Sequence, residues 1–154
     1  MSRKEEELAR WRGLMDETIA EVFAVMLGCA CVPAEGCGGE SSSALSTSAR
    51  VRYSGALAGE CAVRFAAADA AGLAERLMGE AADDAMAADA VGELCNMVAG
   101  GWKRRLGPPA SGAELSVPTL GWGAGEPSGA ARRRYRFDGT QFDVDLAIDG
   151  AMEE

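Results

Sequence analysis

The sequence contains no histidine. That removes the commonest general base, the commonest metal ligand and the usual pH switch. Ser-His-Asp and Cys-His relays are excluded outright. Any chemistry must come from carboxylates, amides, hydroxyls or thiols, or from a partner's residues. Nor is there an apolar run approaching the roughly 18 residues that a membrane helix needs. The opening stretch, MSRKEEELAR, is charged and acidic, unlike a signal or transit peptide, which points to a cytoplasmic protein. Basic residues are outnumbered, 15 Lys and Arg against 24 Asp and Glu, for a net charge of −9. That balance argues against a nucleic-acid partner and against anionic membrane surfaces.

The five cysteines are odd in number, so one at least stays unpaired within a monomer. In a cytosolic setting free thiols are the default. Cys61 and Cys95 fall inside apolar patterns and read as small buried hydrophobes. Cys29, Cys31 and Cys37 cluster in a loop. Their C-x-C-x5-C spacing fits no familiar zinc pattern and no histidine completes it, so no metal site is expected.

What is present is one domain's worth of chain, residues 1–154. Leu8, Trp11, Met15, Ile19, Val22, Phe23 and Met26 recur at helical spacing and predict an amphipathic helix over Lys4 to Leu27. Ser2 and Glu5 suit a capping box at its start, and Gly28 a left-handed cap at its end. Cys29 to Thr47 reads as a loop. Ser48 to Ser54 and Gly59 to Ala66 alternate as a strand pair. Ala67 to Met78 is a short helix capped by Gly79. A long helix runs from about Asp83 to Leu106 and is stopped by Gly107, Pro108 and Pro109. Ala113 to Val117 is a strand and Thr119 to Gly129 a Gly-rich loop. Arg132 to Phe137 and Gln141 to Ile148 form a hairpin around Asp138-Gly139. In the last strand Phe142, Val144, Leu146 and Ile148 share one side, and alternation sets Asp143 and Asp145 toward solvent. The sum predicts an α+β fold, an antiparallel sheet with helices packed on one face.

The long helix has an unusual outer side. Val91, Leu94, Cys95, Val98 and Trp102 fall in a stripe roughly 100° wide, which is core. Asp89, Glu93, Asn96 and Gly100 centre about 170° away, with Lys103 near the edge. A purely solvated face would more cheaply carry Glu, Lys or Gln than Asn and Gly, because Gly costs about 1 kcal/mol against Ala inside a helix. Gly100 beside the polar pair lets another chain approach closely. By pattern alone a functional face and a wet one both remain open.

The run DAVGELCNMVAGGWKRRL resembles the signature of the CheC/CheX/FliY family of chemotaxis phosphatases. In that signature Asp or Ser is followed four residues on by Glu and three later by Asn. Asp89, Glu93 and Asn96 stand in those places. ETIAEVFAVMLG resembles the family's first helix, LAERLMGE its short middle helix, and LSVPTLGWG the strand and loop after the motif helix. CheC-like members carry two such helices. This chain shows one, which is most similar to CheX and implies a CheC/CheX-like fold and a homodimer. The resemblance further implies hydrolysis of the aspartyl-phosphate of a CheY-like response regulator, with Glu93 and Asn96 catalytic. Asn96 would position the attacking water and Glu93 would pair with the regulator's lysine. Asp89, Gly100 and Lys103 would meet the partner. No cofactor of the chain's own is implied, Mg2+ being expected on the partner receiver domain. The alternative is a non-catalytic module that binds receiver domains or oligomerises in a chemotaxis or two-component system.

Three other signals point to structure. DVDLA at Asp143 resembles an aspartate-nucleophile motif but lacks the downstream parts, so a polar sheet face is expected. RRRYR, from Arg132 to Arg136, reads as an edge or exposed strand. Trp102 and Trp122 read as core and loop packing.

Overall fold

The computed structural model describes residues 3–34, 47–55, 58–81, 83–107, 112–120 and 131–149. Three helices, α1 (Arg3–Leu27), α2 (Ala67–Met78) and α3 (Asp84–Leu106), accompany seven strands. The strands are β1 (Val32–Pro33), β2 (Thr47–Gly55), β3 (Ala58–Phe65), β4 (Ala113–Leu115), β5 (Thr119–Leu120), β6 (Ala131–Phe137) and β7 (Thr140–Asp149). They form one sheet in the order β1-β6-β7-β3-β2-β4, with β5 pairing β2 alongside β4 on the same edge. Every pairing is antiparallel.

Local chemistry sets the ends of the elements. Gly28 takes φ 68° after α1, and its N–H reaches back to the Ala24 carbonyl at 3.1 Å. That five-to-one bond satisfies a carbonyl the helix end would otherwise leave open. Gly79 closes α2 with φ 78°. Asp83 caps α3, its carboxylate accepting from the Met86 N–H at 2.9 Å. Asp138 and Gly139 both have positive φ, which a two-residue hairpin turn of matching twist requires. Ser2, Cys37, Pro108, Pro109 and Trp122 lie outside the described residues, as does the Thr119–Gly129 loop beyond Leu120.

Cross-strand register brings the apolar residues of alternating strands into rows on one face. Val51 stands opposite Cys61 and Cys61 opposite Leu146. Phe65 stands opposite Phe142, which stands opposite Tyr135. The helices cover this face. Trp11, Met15, Ile19, Val22 and Phe23 of α1 are buried against it, and Phe23 packs on Phe137 and Phe142. Trp102 of α3 meets Trp11 edge-on at 5.7 Å, so it is core as the sequence suggests.

Expectations about the charged strand residues need correction. Asp143 and Asp145 do point away from the helices, but each is only 1% exposed. The register explains it. Asp143 stands directly between Arg134 and Arg64 on the flanking strands. Arg134 grips it with two bonds of 2.7 and 3.3 Å, and Arg64 lies 3.4 Å from Asp145. A short carboxylate beneath longer guanidinium arms is neither solvated nor unpaired. The RRRYR strand is likewise no exposed ribbon. Arg133 turns to the helix side and holds Asp16 of α1 through two bonds of 2.8 and 3.0 Å, joined by the Tyr135 hydroxyl at 2.6 Å. The Cys29–Thr47 segment, expected as a loop throughout, contributes the short strand β1 and the first residue of β2.

Candidate functional site

Helix α3 lies across β2 and β3 with α1 and α2 on its flanks. Val91, Leu94, Cys95, Val98 and Trp102, the predicted inner stripe, are all fully buried. Polar contacts fix the helix at three levels. The Cys95 thiol donates toward the carbonyls of Ala49 and Cys61, at 3.5 and 3.4 Å. The buried Tyr53 hydroxyl donates to the Ala99 carbonyl at 2.9 Å. The Trp102 indole N–H donates to the Trp11 carbonyl at 3.4 Å. Contact with the Cys95 thiol, and then burial, push the Cys61 thiol well above its ordinary range, so it stays neutral there. Burial does the same to the Tyr53 phenol.

Two glycines let neighbours close in on α3. A methyl group at Gly92 would sit 2.7 Å from the Leu120 side chain of β5, and one at Gly101 would sit 2.8 Å from Thr18 of α1. Opposing charges add a clamp: Arg105 of α3 pairs with both Glu17 and Glu21 of α1. The hydrogen bond from Arg105, with its charge, holds the Glu21 carboxyl below the usual range.

A helix seated this way has one side left for visitors. Asp89, Glu93 and Asn96 are exposed, and Gly100 and Lys103 are partly so. All five sequence-predicted residues therefore share the outward side of α3. Among the described residues, none of the Asp89, Glu93 or Asn96 side chains is tied up in a hydrogen bond or ion pair. A free carboxylate can take a cation from another molecule. A free carboxamide, one turn on, can both donate to and accept from water. An open groove of about 400 Å3 adjoins Asn96 and Gly100 and runs between α1 and α3. Val25 and Arg104, which also line it, were not singled out by the sequence. Their only signal was a valine off the apolar stripe of α1 and a cation one turn past Gly100.

No group of three or more His, Cys, Asp or Glu side chains suited to a metal occurs among the described residues. Cys29 and Cys31 are free thiols, and burial pushes the Cys31 thiol up to about 12. No helix among the described residues is long and apolar enough to cross a membrane.

Residues 47–138 match the family described as chemotaxis phosphatase CheX. No curated protein matches the sequence. Among solved structures, the chain is similar to the chemotaxis protein CheX from Vibrio vulnificus, with 18% identity, a TM-score of 0.73, and 92% of this chain and 98% of that one covered. It is similar to a chain of the CheX–CheY–BeF3–Mg2+ complex from Borrelia burgdorferi, with 19% identity, a TM-score of 0.70 and coverage of 90% and 97%. It also resembles FliY from Thermotoga maritima, with 15% identity, a TM-score of 0.64 and coverage of 99% and 93%. At these identities the likeness shows the shared fold.

Proposed function

Because the chain belongs to the CheX family of chemotaxis phosphatases, we propose that it hydrolyses the aspartyl-phosphate of a CheY-like receiver domain. The observation that carries this is the unengaged Glu93–Asn96 pair, turned outward on a helix fixed from beneath. The similar fold found in a CheX–CheY complex supports the choice of partner.

The receiver supplies the phospho-aspartate, a bound Mg2+ and a lysine. Asn96 enters its pocket and holds a water in line with phosphorus. An amide suits that position because it orients water without adding negative charge near a phosphate. Glu93 pairs with the receiver's lysine and sets the depth of approach. Asp89 flanks the pair, Gly100 gives the partner's chain room, and Lys103 adds a contact at the far end. Catalysis by positioning of this kind lowers a barrier without proton transfer by the enzyme. Two copies pair into a homodimer with two equivalent faces, which sedimentation or light scattering measures directly.

The test is dephosphorylation of phosphorylated receiver domains by the parent chain and by Asn96→Ala. The variant should bind the receiver as the parent does and leave phosphate loss at the receiver's own rate. Acceleration that survives in Asn96→Ala refutes the role given to Asn96, and a parent chain that neither binds nor accelerates refutes the assignment. A parent chain that forms a stable complex with no acceleration identifies a non-catalytic binding module instead.

A further inference from the structure

The reading above uses the groove beside Asn96 only as room for the receiver at Gly100. Asn96, Gly100 and Arg104 follow one another at four-residue spacing and form a single ridge along α3. Glycine cuts a notch in that ridge. A methyl group at Gly100 would meet nothing nearer than the Arg104 guanidinium at 3.8 Å, whereas the corresponding space at Gly92 and Gly101 is already filled. The notch opens outward. Val22 and Val25 of α1, Met97 of α3 and Leu115 of β4 give it apolar walls, and Glu21 of α1 adds a carboxylate to the lining. Val25 is 75% exposed, unusual for a valine on a packed helix.

The far end of the notch is cationic. Arg104 reaches back over Gly100 and makes no salt bridge among the described residues, its charge being felt at longer range by Glu21. Its neighbour Arg105, by contrast, is taken by Glu17 and Glu21. Lys103 stands alongside. From N- to C-terminus, the outward side of α3 thus presents two carboxylates, an amide, an apolar notch and two cations.

We propose that this notch is a second recognition point for the receiver domain, seating an apolar receiver side chain next to a receiver carboxylate that pairs with Arg104. The inference rests on the receiver-phosphatase assignment. Two observations select the occupant. Asn96 lines the notch, so whatever fills it sits within about one helical turn of the reacting group and belongs to the same partner. And an arginine that makes no salt bridge among the described residues, with the nearby Glu21 already held by Arg105, complements an acidic segment. The charge order along α3 also sets direction, since a receiver seated the other way round would bring like charges together.

The experiment measures binding of a receiver domain loaded with BeF3− and Mg2+ to the full chain by calorimetry, beside steady-state dephosphorylation. Arg104→Glu should raise both Kd and KM about tenfold while kcat holds, and Arg104→Lys should retain most of the affinity. Gly100→Leu, which fills the notch, should weaken binding as much without lowering thermal stability. Unchanged Kd in Arg104→Glu and Gly100→Leu overturns the proposal, as does a parent chain that binds no loaded receiver. Weakened self-association with unchanged receiver affinity also overturns it, by making a second copy the occupant. Asn96→Ala keeps the two ideas apart. If it still hydrolyses while the groove variants lose affinity, the notch stands and the catalytic role of Asn96 falls.

Discussion

Gly100 and Gly101 are adjacent in the same helix, yet replacing each by alanine should move stability in opposite directions. Glycine inside a helix is about 1 kcal/mol less favourable than alanine, so either change begins with that gain. At Gly100 the new methyl meets its nearest neighbour at 3.8 Å, an ordinary contact, and the gain is realised in full. For a chain of this size it corresponds to a rise in Tm of about 2–4 °C. At Gly101 the methyl lands 2.8 Å from Thr18 Cγ2. Thr18 cannot swing aside, because it is fully buried and its hydroxyl donates to the Leu14 carbonyl at 2.7 Å. Overpacking of this kind costs about 1–3 kcal/mol, which cancels the gain or exceeds it by up to about 2 kcal/mol. Urea unfolding followed by circular dichroism measures both, with an unchanged slope confirming that stability alone has moved. Equal stabilisation by the two substitutions would refute the claim that Gly101 serves packing while Gly100 keeps space for a partner.

Removing the carboxylate in Asp16→Ala leaves the buried Tyr135 hydroxyl without its acceptor and frees Arg133, and should cost about 1–3 kcal/mol in urea unfolding. A double-mutant cycle with Tyr135→Phe should recover part of the loss; strict additivity would sink the proposed coupling. Burial, with Cys29 nearby, raises the Cys31 thiol from an unfolded value near 8.5 to about 12. The stability linked to its proton is therefore complete below about pH 8.5 and is lost as pH climbs toward 12. Iodoacetamide at about pH 8 should leave Cys31 untouched in the native chain and modify it in urea, and mass spectrometry of the peptides reads the difference. Equal labelling of Cys29 and Cys31 in the native chain would contradict it.

Much of this architecture could be read from periodicity. The apolar spacing in α1 and α3, the caps at Gly28 and Gly79, and the Asp138-Gly139 turn are local rules acting over a few residues, and the helices and main strands follow them to within a residue or two. The outward side of α3 was legible for the same reason: once Val91, Leu94 and Val98 face the sheet, Glu93 and Asn96 face away. What escaped depends on residues distant in the chain. Alternation assigned Asp143 and Asp145 to the correct face, but only strand order reveals Arg134 and Arg64 beside them. Two-residue strands such as β1 and β5 are too short to show a period, and exist because β6 and β2 offer open backbone groups. Arg104 and Val25 line one groove from the two sides of the α1–α3 seam, which no window along the sequence spans.

The three polar contacts beneath α3, from Cys95, Tyr53 and Trp102, separate two jobs that many proteins leave entangled. The underside of the rod belongs to the scaffold and, under the proposed function, the upper side belongs to a receiver, with almost no residue answering to both. Such a rod behaves like a keyboard on a fixed frame. Its top can be rewritten, by drift or by an engineer transplanting another protein's contact set, while the packing beneath stays as it is.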